Sequence, residues 1–361
     1  MTERAALGDR LERAIEGHAD VESEIARGEA EARKRPKRQL YRTIIWLAIT
    51  GVSLYLVAPS VIEVLGSWRQ IEKIAPAWLV AMLVAQAAAL ASLAALQYIA
   101  IHAGPWRAVV TSQLAGNALA KVAPGGGTIG AALQYRMLVA AGFPSRPVVS
   151  GLTAASLLTF AVVLALPVLA IPALIRGAVD RTLLEAAIAG LVIFFVLAGL
   201  SALLLARDGP LLWIGRILQR LRNRLRPKSE PLRTLPDRLI RERNRILATL
   251  GPRWKRALLA TVGRWAFDYA TLLAALAAVH QHARPGLVLL AYCAAQLLAQ
   301  IPVTPGGLGF VEAGLTAMLT LAGVEAGAAV LATFAYRLFS YWLPLPVGFG
   351  AWLSHRRTYG A

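Results

Sequence analysis

Residues 303–323 read VTPGGLGFVEAGLTAMLTLAG, and residues 122–142 read VAPGGGTIGAALQYRMLVAAG. The two stretches align without a gap, and each holds a Pro-Gly-Gly break between two apolar arms. The matched positions are Val122, Pro124, Gly125, Gly126, Ala132, Met137, Leu138, Ala141 and Gly142 in the first stretch, and Val303, Pro305, Gly306, Gly307, Ala313, Met318, Leu319, Ala322 and Gly323 in the second. A repeat of this length in so apolar a chain predicts a transporter-like fold of two halves.

The composition of the whole chain predicts an all-α polytopic membrane protein. Of the 361 residues, 57% are hydrophobic and only 16% are charged. A soluble domain of this composition would have to expose much of its apolar surface to water. Several apolar runs reach the roughly 20 residues that a helix needs to cross the hydrocarbon layer. The sequence does not show the alternating ten-residue segments of a membrane barrel.

Six membrane spans are predicted from the apolar runs. They lie at residues 42–63, 77–101, 147–171, 183–205, 257–279 and 328–353. The repeated stretches fall between the second and third spans and between the fifth and sixth, at 107–143 and 286–324. Their arms are marginal for a crossing at about 1.5 Å rise per residue, and Pro-Gly-Gly breaks the helix between them. We therefore predict two re-entrant hairpins.

Each half then contains three crossings plus one hairpin, and an odd number of crossings inverts the second half relative to the first. Arms that cross fully would give five crossings, which is also odd. The tips of the two hairpins should approach each other near the midplane. The predicted divisions are a cytoplasmic polar segment at 1–40, membrane repeat 1 at 41–205, a basic cytoplasmic amphipathic linker at 206–256, and membrane repeat 2 at 257–355 with 183–205 as its first helix.

The distribution of basic residues predicts the topology. The formal net charge is +18, and residues 206–256 carry fifteen Lys and Arg, whereas few occur in the loops predicted outside. This positive-inside pattern indicates an inner-membrane protein with both termini in the cytoplasm, and it argues against a nucleic-acid partner. The linker is expected to lie on the anionic inner leaflet as two amphipathic helices; selective recognition of a lipid headgroup there is the alternative.

Charged residues in apolar surroundings are candidates for function. They are Lys121, Arg136, Arg264, Asp268, Glu312 and Arg337. Each costs at least ~2.5–3.5 kcal/mol at the centre of a membrane helix, so each should face protein, water or a substrate. Arg264 and Asp268 lie four apart and either serve a substrate or neutralise each other. Glu312 is either a proton or cation site or the partner of Arg337, and Lys121 and Arg136 are expected to snorkel to the cytoplasmic face.

The glycine breaks predict an anion site. A helix that begins after such a break has unpaired backbone N–H groups and a partial positive charge at its start, and glycine lets another group approach closely. Two such ends near the midplane favour an anion, most naturally a phosphate. The predicted substrate-binding residues are Pro124, Gly125, Gly126, Gly127, Thr128, Pro305, Gly306, Gly307, Gly309, Glu312, Arg337, Arg264 and Asp268. The alternative is that the glycines only permit tight helix contact.

Motifs for catalysis and for metal binding are absent from the sequence. It contains no HExxH, no CxxC and no Gly-Lys-Ser or Gly-Lys-Thr after the glycines at 125–127, so ATP hydrolysis is not expected. The one cysteine, Cys293, lies in an apolar run and is interpreted as a packing residue. We predict no catalytic residue, no metal and no cofactor.

The second-half motif resembles the membrane region of the lysylphosphatidylglycerol synthase family, also called flippase-like. The residues that carry the resemblance are Pro305-Gly306-Gly307-Leu308-Gly309 with Glu312, Gln296 upstream and Tyr336-Arg337 downstream, and more weakly Asn117, Pro124, Gly126 and Gly142. It covers roughly residues 40–355. The family's long members flip aminoacylated phosphatidylglycerol and carry a further domain that makes it, so this chain is expected to resemble the flippase part alone and to synthesise nothing.

These observations lead to two functional hypotheses. The first is a lipid translocase that moves a phospholipid or a polyprenyl-phosphate-linked lipid between leaflets and binds the anionic headgroup at the helix breaks. The second is a non-transporting membrane partner that docks a cell-envelope lipid enzyme through residues 206–256. Glycosyl or acyl transfer within the membrane is disfavoured, because no carboxylates or histidines converge on the loops predicted outside.

Overall fold

A computed structural model describes residues 75–170, 207–225, 234–299 and 305–360, without residues 103, 124, 125 and 282, together with single positions between 185 and 206. The chain is helical over these residues, and no strand occurs among them. The predicted all-α class is thereby confirmed. The predicted first span at 42–63, most of the fourth at 183–205, and the polar segment at 1–40 lie outside the described residues.

Four helices make up the described part of the first half. They are α1 (Pro76–Ile101), α2 (Trp106–Val122), α3 (Gly126–Ala140) and α4 (Ser145–Ala165), the last continuing as a 3-10 turn over Leu166–Ala170. Proline occupies the first turn of α1, where its missing N–H costs nothing. Helices α2 and α3 span the stretch at 107–143 for which a re-entrant hairpin is predicted, and they pack closely where Gly116 faces Gly130.

Two basic amphipathic helices follow, as predicted for the linker. They are α5 (Asp208–Leu225) and α6 (Leu235–Leu250). The two pack on each other where Gly215 lies against Pro236, and α6 also packs on α4. Trp213, Leu218 and Leu221 of α5 remain more than 40% exposed. The pair therefore presents an apolar face together with its arginines.

The second half contains the remaining helices. They are α7 (Trp254–Ala278), α8 (Pro285–Leu298), a 3-10 turn over Pro305–Gly307, α9 (Phe310–Leu321), α10 (Ala326–Arg337), a π-helical segment over Leu338–Trp342, and α11 (Pro344–Tyr359). Helix α7 packs along α1, α8 packs on α9, and α11 packs on α2. Glu325 caps α10 by accepting hydrogen bonds from the N–H groups of Gly327 and Ala328 at 2.9 and 2.8 Å.

The predicted sixth span at 328–353 is not one regular helix. It consists of α10 and α11 joined by the π-helical segment, in which the Leu343 N–H donates to the Leu338 carbonyl five residues back at 2.9 Å. The next residue, Pro344, has no N–H to continue the four-residue pattern. The wider π-helical turn accommodates the lack of an N–H at Pro344, and it sets the orientation of Ser340 and Tyr341.

Among the described residues, two helical stretches are long and apolar enough to cross a membrane, Pro76–Ile101 and Ser145–Val168. Helices α8 and α9 are apolar but shorter. Helix α7 has 25 residues, but it carries Arg264 and Asp268 in its middle. An apolar cluster built from α7, α8, α9 and α10 packs around these charges, with Leu272, Tyr292 and Leu315 fully buried.

Candidate functional site

The second helix break forms at the predicted glycines. The backbone φ angles of Gly306, Gly307 and Gly309 are 60°, 71° and 78°. They lie in the left-handed region, which residues other than glycine rarely adopt. A Cβ at Gly306 would lie 2.5 Å from the carbonyl oxygen of Lys121 and would collide with the ring of Tyr341. Gly306 is therefore required both by its own backbone conformation and by the close approach of the first hairpin.

The first break lies between the end of α2 at Val122 and the start of α3 at Gly126. Gly126 has a φ of 41°, and no atom of the described residues lies within 4 Å of a Cβ built on Gly127. Thr128 is exposed in the first turn of α3. Pro124 and Gly125 of the predicted site lie outside the described residues, and of Pro305 only the backbone turn is described.

The ends of the two hairpins touch at Lys121, in the last turn of α2. The carbonyl oxygen of Lys121 accepts a hydrogen bond from the Tyr341 hydroxyl at 3.0 Å and lies against Gly306. Its ammonium group donates to the carbonyl oxygen of Ser340 at 2.6 Å and lies 5.4 Å from the centre of the Tyr341 ring. The first hairpin, the second break and the π-helical segment therefore meet, and we call their meeting point the junction.

The junction contains a buried ion pair between Arg337 and Glu312. The Arg337 Nε donates to Glu312 Oε1 at 2.6 Å, and both residues are more than 90% buried. A second guanidinium nitrogen, Nη2, donates to the Gly306 carbonyl at 3.2 Å, and the guanidinium lies 4.5 Å from the centre of the Tyr341 ring. Glu312 is thus the partner of Arg337, the second of the two possibilities that the sequence allowed. Its other oxygen, Oε2, is buried without a hydrogen-bond partner among the described residues.

Asp268 forms a second buried group, which we call the Asp268 cluster. Its Oδ1 lies 3.3 Å from Arg264, and its Oδ2 accepts from the hydroxyls of Tyr292 at 2.6 Å and Tyr336 at 2.8 Å and from the Gln296 amide at 3.4 Å. The side chain is 2% exposed, and donors face both of its oxygens. The mutual neutralisation of Arg264 and Asp268 is therefore in place, and Tyr336, next to Arg337 in sequence, links the cluster to the junction.

Lys121 corrects one expectation from the sequence. It was expected to snorkel to the cytoplasmic face with Arg136, but its ammonium group turns inward to the second half of the chain. Arg136 is exposed, as a snorkelling residue should be. The packing of α2 against α11 and the open carbonyl of Ser340 in the π-helical segment explain the inward direction. The acceptor lies 219 residues further along the chain, so nothing local in the sequence indicates this direction.

Sequence reasoning also gave no role to several polar residues of these groups. In the sequence, Gln296 and Tyr336 stand out only as parts of the family motif, and nothing distinguishes Tyr292 or Tyr341. All four are residues whose hydrogen bonds join different helices, so their partners depend on the tertiary packing. Their polar groups lie in apolar helices, and that placement is the sequence signal that could have found them.

The described residues contain no group of three or more His, Cys, Asp or Glu placed to hold a metal ion. Cys293 is buried in α8. The polar chemistry of this region is therefore that of ion pairs, tyrosine hydroxyls and backbone groups at helix breaks.

Comparison with known proteins gives one match. A family model described as the lysylphosphatidylglycerol synthase TM region matches residues 39–348, which include both hairpins and all the charged residues of the junction and the Asp268 cluster. No curated protein and no solved structure matches the chain.

Proposed function

The chain belongs to the lysylphosphatidylglycerol synthase transmembrane-region family, and we propose that within it this chain is a lipid translocase. It moves a phospholipid or a polyprenyl-phosphate-linked lipid between the leaflets of the inner membrane, and it catalyses no bond making or breaking. Its partners are membrane lipids. The proposal includes the inverted arrangement of the two halves, the re-entrant course of the hairpins and the cytoplasmic position of both termini.

The contact between the two hairpin ends at the junction carries this proposal. It brings Lys121 and Arg337 to one tyrosine ring, beside the start of α9. No side chain of the described residues caps that start, so its N–H groups keep their partial positive charge. Glu312 in the first turn offsets part of that charge and holds Arg337 in place. A lipid phosphate is the natural negative group for such a place inside a membrane protein.

The two ion pairs have different tasks in this proposal. Both carboxylate oxygens of Asp268 have partners, and the cluster serves to neutralise Arg264 and to fix α7, α8 and α10 relative to one another. The Arg337–Glu312 pair is less complete, because Glu312 Oε2 has no partner among the described residues. It is therefore the pair that rearranges when a headgroup enters, and we assign it the gating role.

Translocation can be measured with the purified full chain in liposomes, using acyl-labelled lipids and a quencher that reaches only the outer leaflet. The chain should move lipid faster than empty liposomes do. Glu312→Gln and Arg337→Ala should each slow it, whereas Arg136→Ala, which removes an exposed arginine of α3, should not. Each variant is first checked for an unchanged elution volume in detergent. Rates equal to those of empty liposomes for every headgroup offered would refute the proposal.

The non-transporting alternative is favoured by a different observation. Helix α5 leaves Trp213, Leu218 and Leu221 exposed next to its arginines, which suits either an anionic lipid surface or a protein partner. If docking of an envelope-lipid enzyme were the function, a deletion within 216–245 would abolish the cellular phenotype, and Glu312→Gln with Arg337→Ala would leave it intact. The translocase proposal predicts the reverse.

A further inference from the structure

The buried charges of the junction and the Asp268 cluster do not balance. Among the described residues these two groups contain three cations, Lys121, Arg264 and Arg337, and two carboxylates, Asp268 and Glu312. Each arginine has a carboxylate within ion-pair distance, at 3.3 Å for Arg264 and 2.6 Å for Arg337. Lys121 has none among the residues that the structure describes. The formal excess is therefore one positive charge, and it is located on Lys121.

Lys121 is held by weak partners. An ammonium group has three donors, and in this structure one of them reaches the Ser340 carbonyl while the group also faces the Tyr341 ring. The residue as a whole is partly buried, and it lies directly before the first break. Gly127 lies in the first turn of α3, on the other side of the first break. A Cβ built on it would meet no described atom within 4 Å. Among the described residues, the Ser340 carbonyl is thus the hydrogen-bond acceptor that the Lys121 ammonium reaches.

A cation without a carboxylate partner is unfavourable in an apolar environment. A negative group on the substrate lowers the free-energy cost of that unpaired charge. We infer that Lys121 is the residue that contacts the lipid phosphate, and that the site selects headgroups with one net negative charge. This inference rests on the translocase proposed above. One negative charge brings the formal sum over the described residues of the site to zero, whereas a zwitterionic headgroup leaves it at one.

The geometry also assigns a sequence of contacts. Before binding, the ammonium of Lys121 is occupied by the Ser340 carbonyl, which comes from the π-helical segment of the opposite half. When a phosphate oxygen replaces that carbonyl as acceptor, the side chain releases one link between the halves. The Tyr341 hydroxyl bond to the Lys121 backbone and the contact at Gly306 remain. Binding of the anion thus loosens one contact at the junction while the hairpin ends stay together.

The test compares two acyl-labelled lipids in the liposome assay, phosphatidylglycerol with one net negative charge and phosphatidylcholine with none. The wild-type chain should move phosphatidylglycerol on the order of tenfold faster, since a hydrogen bond to a charged group corresponds to at least about that factor. Lys121→Gln should remove most of this preference, and Lys121→Arg should keep it. Arg136→Gln, which removes one positive charge outside the junction, should leave the preference unchanged.

The outcomes separate this inference from the proposed function. Equal rates for both lipids in the wild type, above those of empty liposomes, would overturn the inference and leave the translocase standing. No transport of either lipid by the wild type would overturn both. The wild-type preference and the Lys121→Arg result stand as tests even if Lys121→Gln fails to fold. Millimolar inorganic phosphate should not change the rates; inhibition that Lys121→Gln abolishes would assign the site to free phosphate and overturn the lipid headgroup.

Discussion

The two carboxylate oxygens of Glu312 have different surroundings. Oε1 accepts from Arg337 at 2.6 Å, whereas Oε2 is buried without a partner among the described residues. A buried carboxylate in this state depends on its cation, because it has few other groups to stabilise its charge. At the scale of single residues, Arg337 therefore stabilises the folded protein by lowering the cost of burying Glu312.

Removal of the cation alone should be costly. We expect Arg337→Ala to lower the free energy of unfolding by about 3–5 kcal/mol, as is typical when one partner of a buried pair is lost. Adding Glu312→Gln to that variant should recover part of the loss, because the remaining charge is then removed. Thermal unfolding in detergent of both single variants and the double variant measures this. A double variant no more stable than Arg337→Ala alone would show that Glu312 is not buried as a charge.

His355, two residues beyond the predicted end of the last span, should make stability depend on pH. Its side chain is 1% exposed, with Nε2 donating to the Met137 carbonyl at 2.9 Å and Nδ1 2.7 Å from the Thr111 hydroxyl. Burial lowers the pKa of His355, although the hydrogen bond to Met137 acts the other way. The unfolded chain therefore binds the proton more readily, so stability is lost as the pH falls below the usual histidine value of about 6.5.

The measurement for His355 is the thermal midpoint of the full chain in detergent between pH 5 and pH 8. The wild type should lose stability towards pH 5. His355→Gln should be less stable than the wild type at pH 8 but should show a flatter dependence below pH 6.5, because it has no proton to gain. Identical slopes for the two proteins would mean that His355 does not titrate differently on folding.

At the scale of elements, the second helix break offers a matched pair of glycines. Gly306 and Gly309 both have left-handed φ angles, of 60° and 78°, so an alanine at either position is strained by about 1–2 kcal/mol. They differ in their surroundings. A Cβ at Gly306 meets Lys121 and Tyr341, whereas none of the described atoms lies within 4 Å of one at Gly309. The contact between the hairpins is thus specific to Gly306.

Gly306→Ala should therefore separate the hairpin ends, and Gly309→Ala should not. We expect the first variant to lose most lipid translocation and to unfold at a lower temperature than the second, which should retain translocation. The same liposome assay and thermal unfolding in detergent give both quantities. Equal losses in the two variants would mean that backbone strain alone matters and that the close approach to Lys121 has no functional role.

The sequence predicted the breaks but not the shape of the last span. Pro-Gly-Gly is a local signal, because proline and left-handed glycines end a helix regardless of their neighbours. The π-helical segment before Pro344 was missed, since a proline in an apolar run reads equally well as a kink or as the first turn of a helix. The choice depended on the packing of α10 and α11 against α2 and α7.

At the scale of the whole molecule, part of the site followed from sequence and part did not. The spacing of Arg264 and Asp268 on one helix allowed either a pair or a substrate role, and Glu312 was either a proton or cation site or the partner of Arg337. The structure shows both pairs. The inward turn of Lys121 and the tyrosines around Asp268 could not be predicted. Those contacts join residues of different helices. The direction of each side chain therefore depends on the helices that pack against it.

The arrangement of the two halves is likewise predicted only in part by the sequence. The internal repeat predicts that both hairpins share one architecture, and the structure places their ends in contact at Lys121 and Gly306. Translocation requires that this contact lie within the bilayer, because an anion site on the surface would bind soluble phosphates and would move nothing across the membrane. The depth of the two breaks is thus the quantity on which the proposed function depends.

That depth can be measured with spin labels. In a Cys293→Ala background, which removes the one native cysteine, labels on Val122→Cys and Phe310→Cys flank the first and second breaks at exposed positions. Reconstituted in bilayers, both labels should be reached by oxygen far more than by a polar nickel chelate, and they should lie within about 20 Å of each other, less than the ~30 Å thickness of the hydrocarbon layer. Labels at opposite surfaces, or both at the headgroups, would contradict the account.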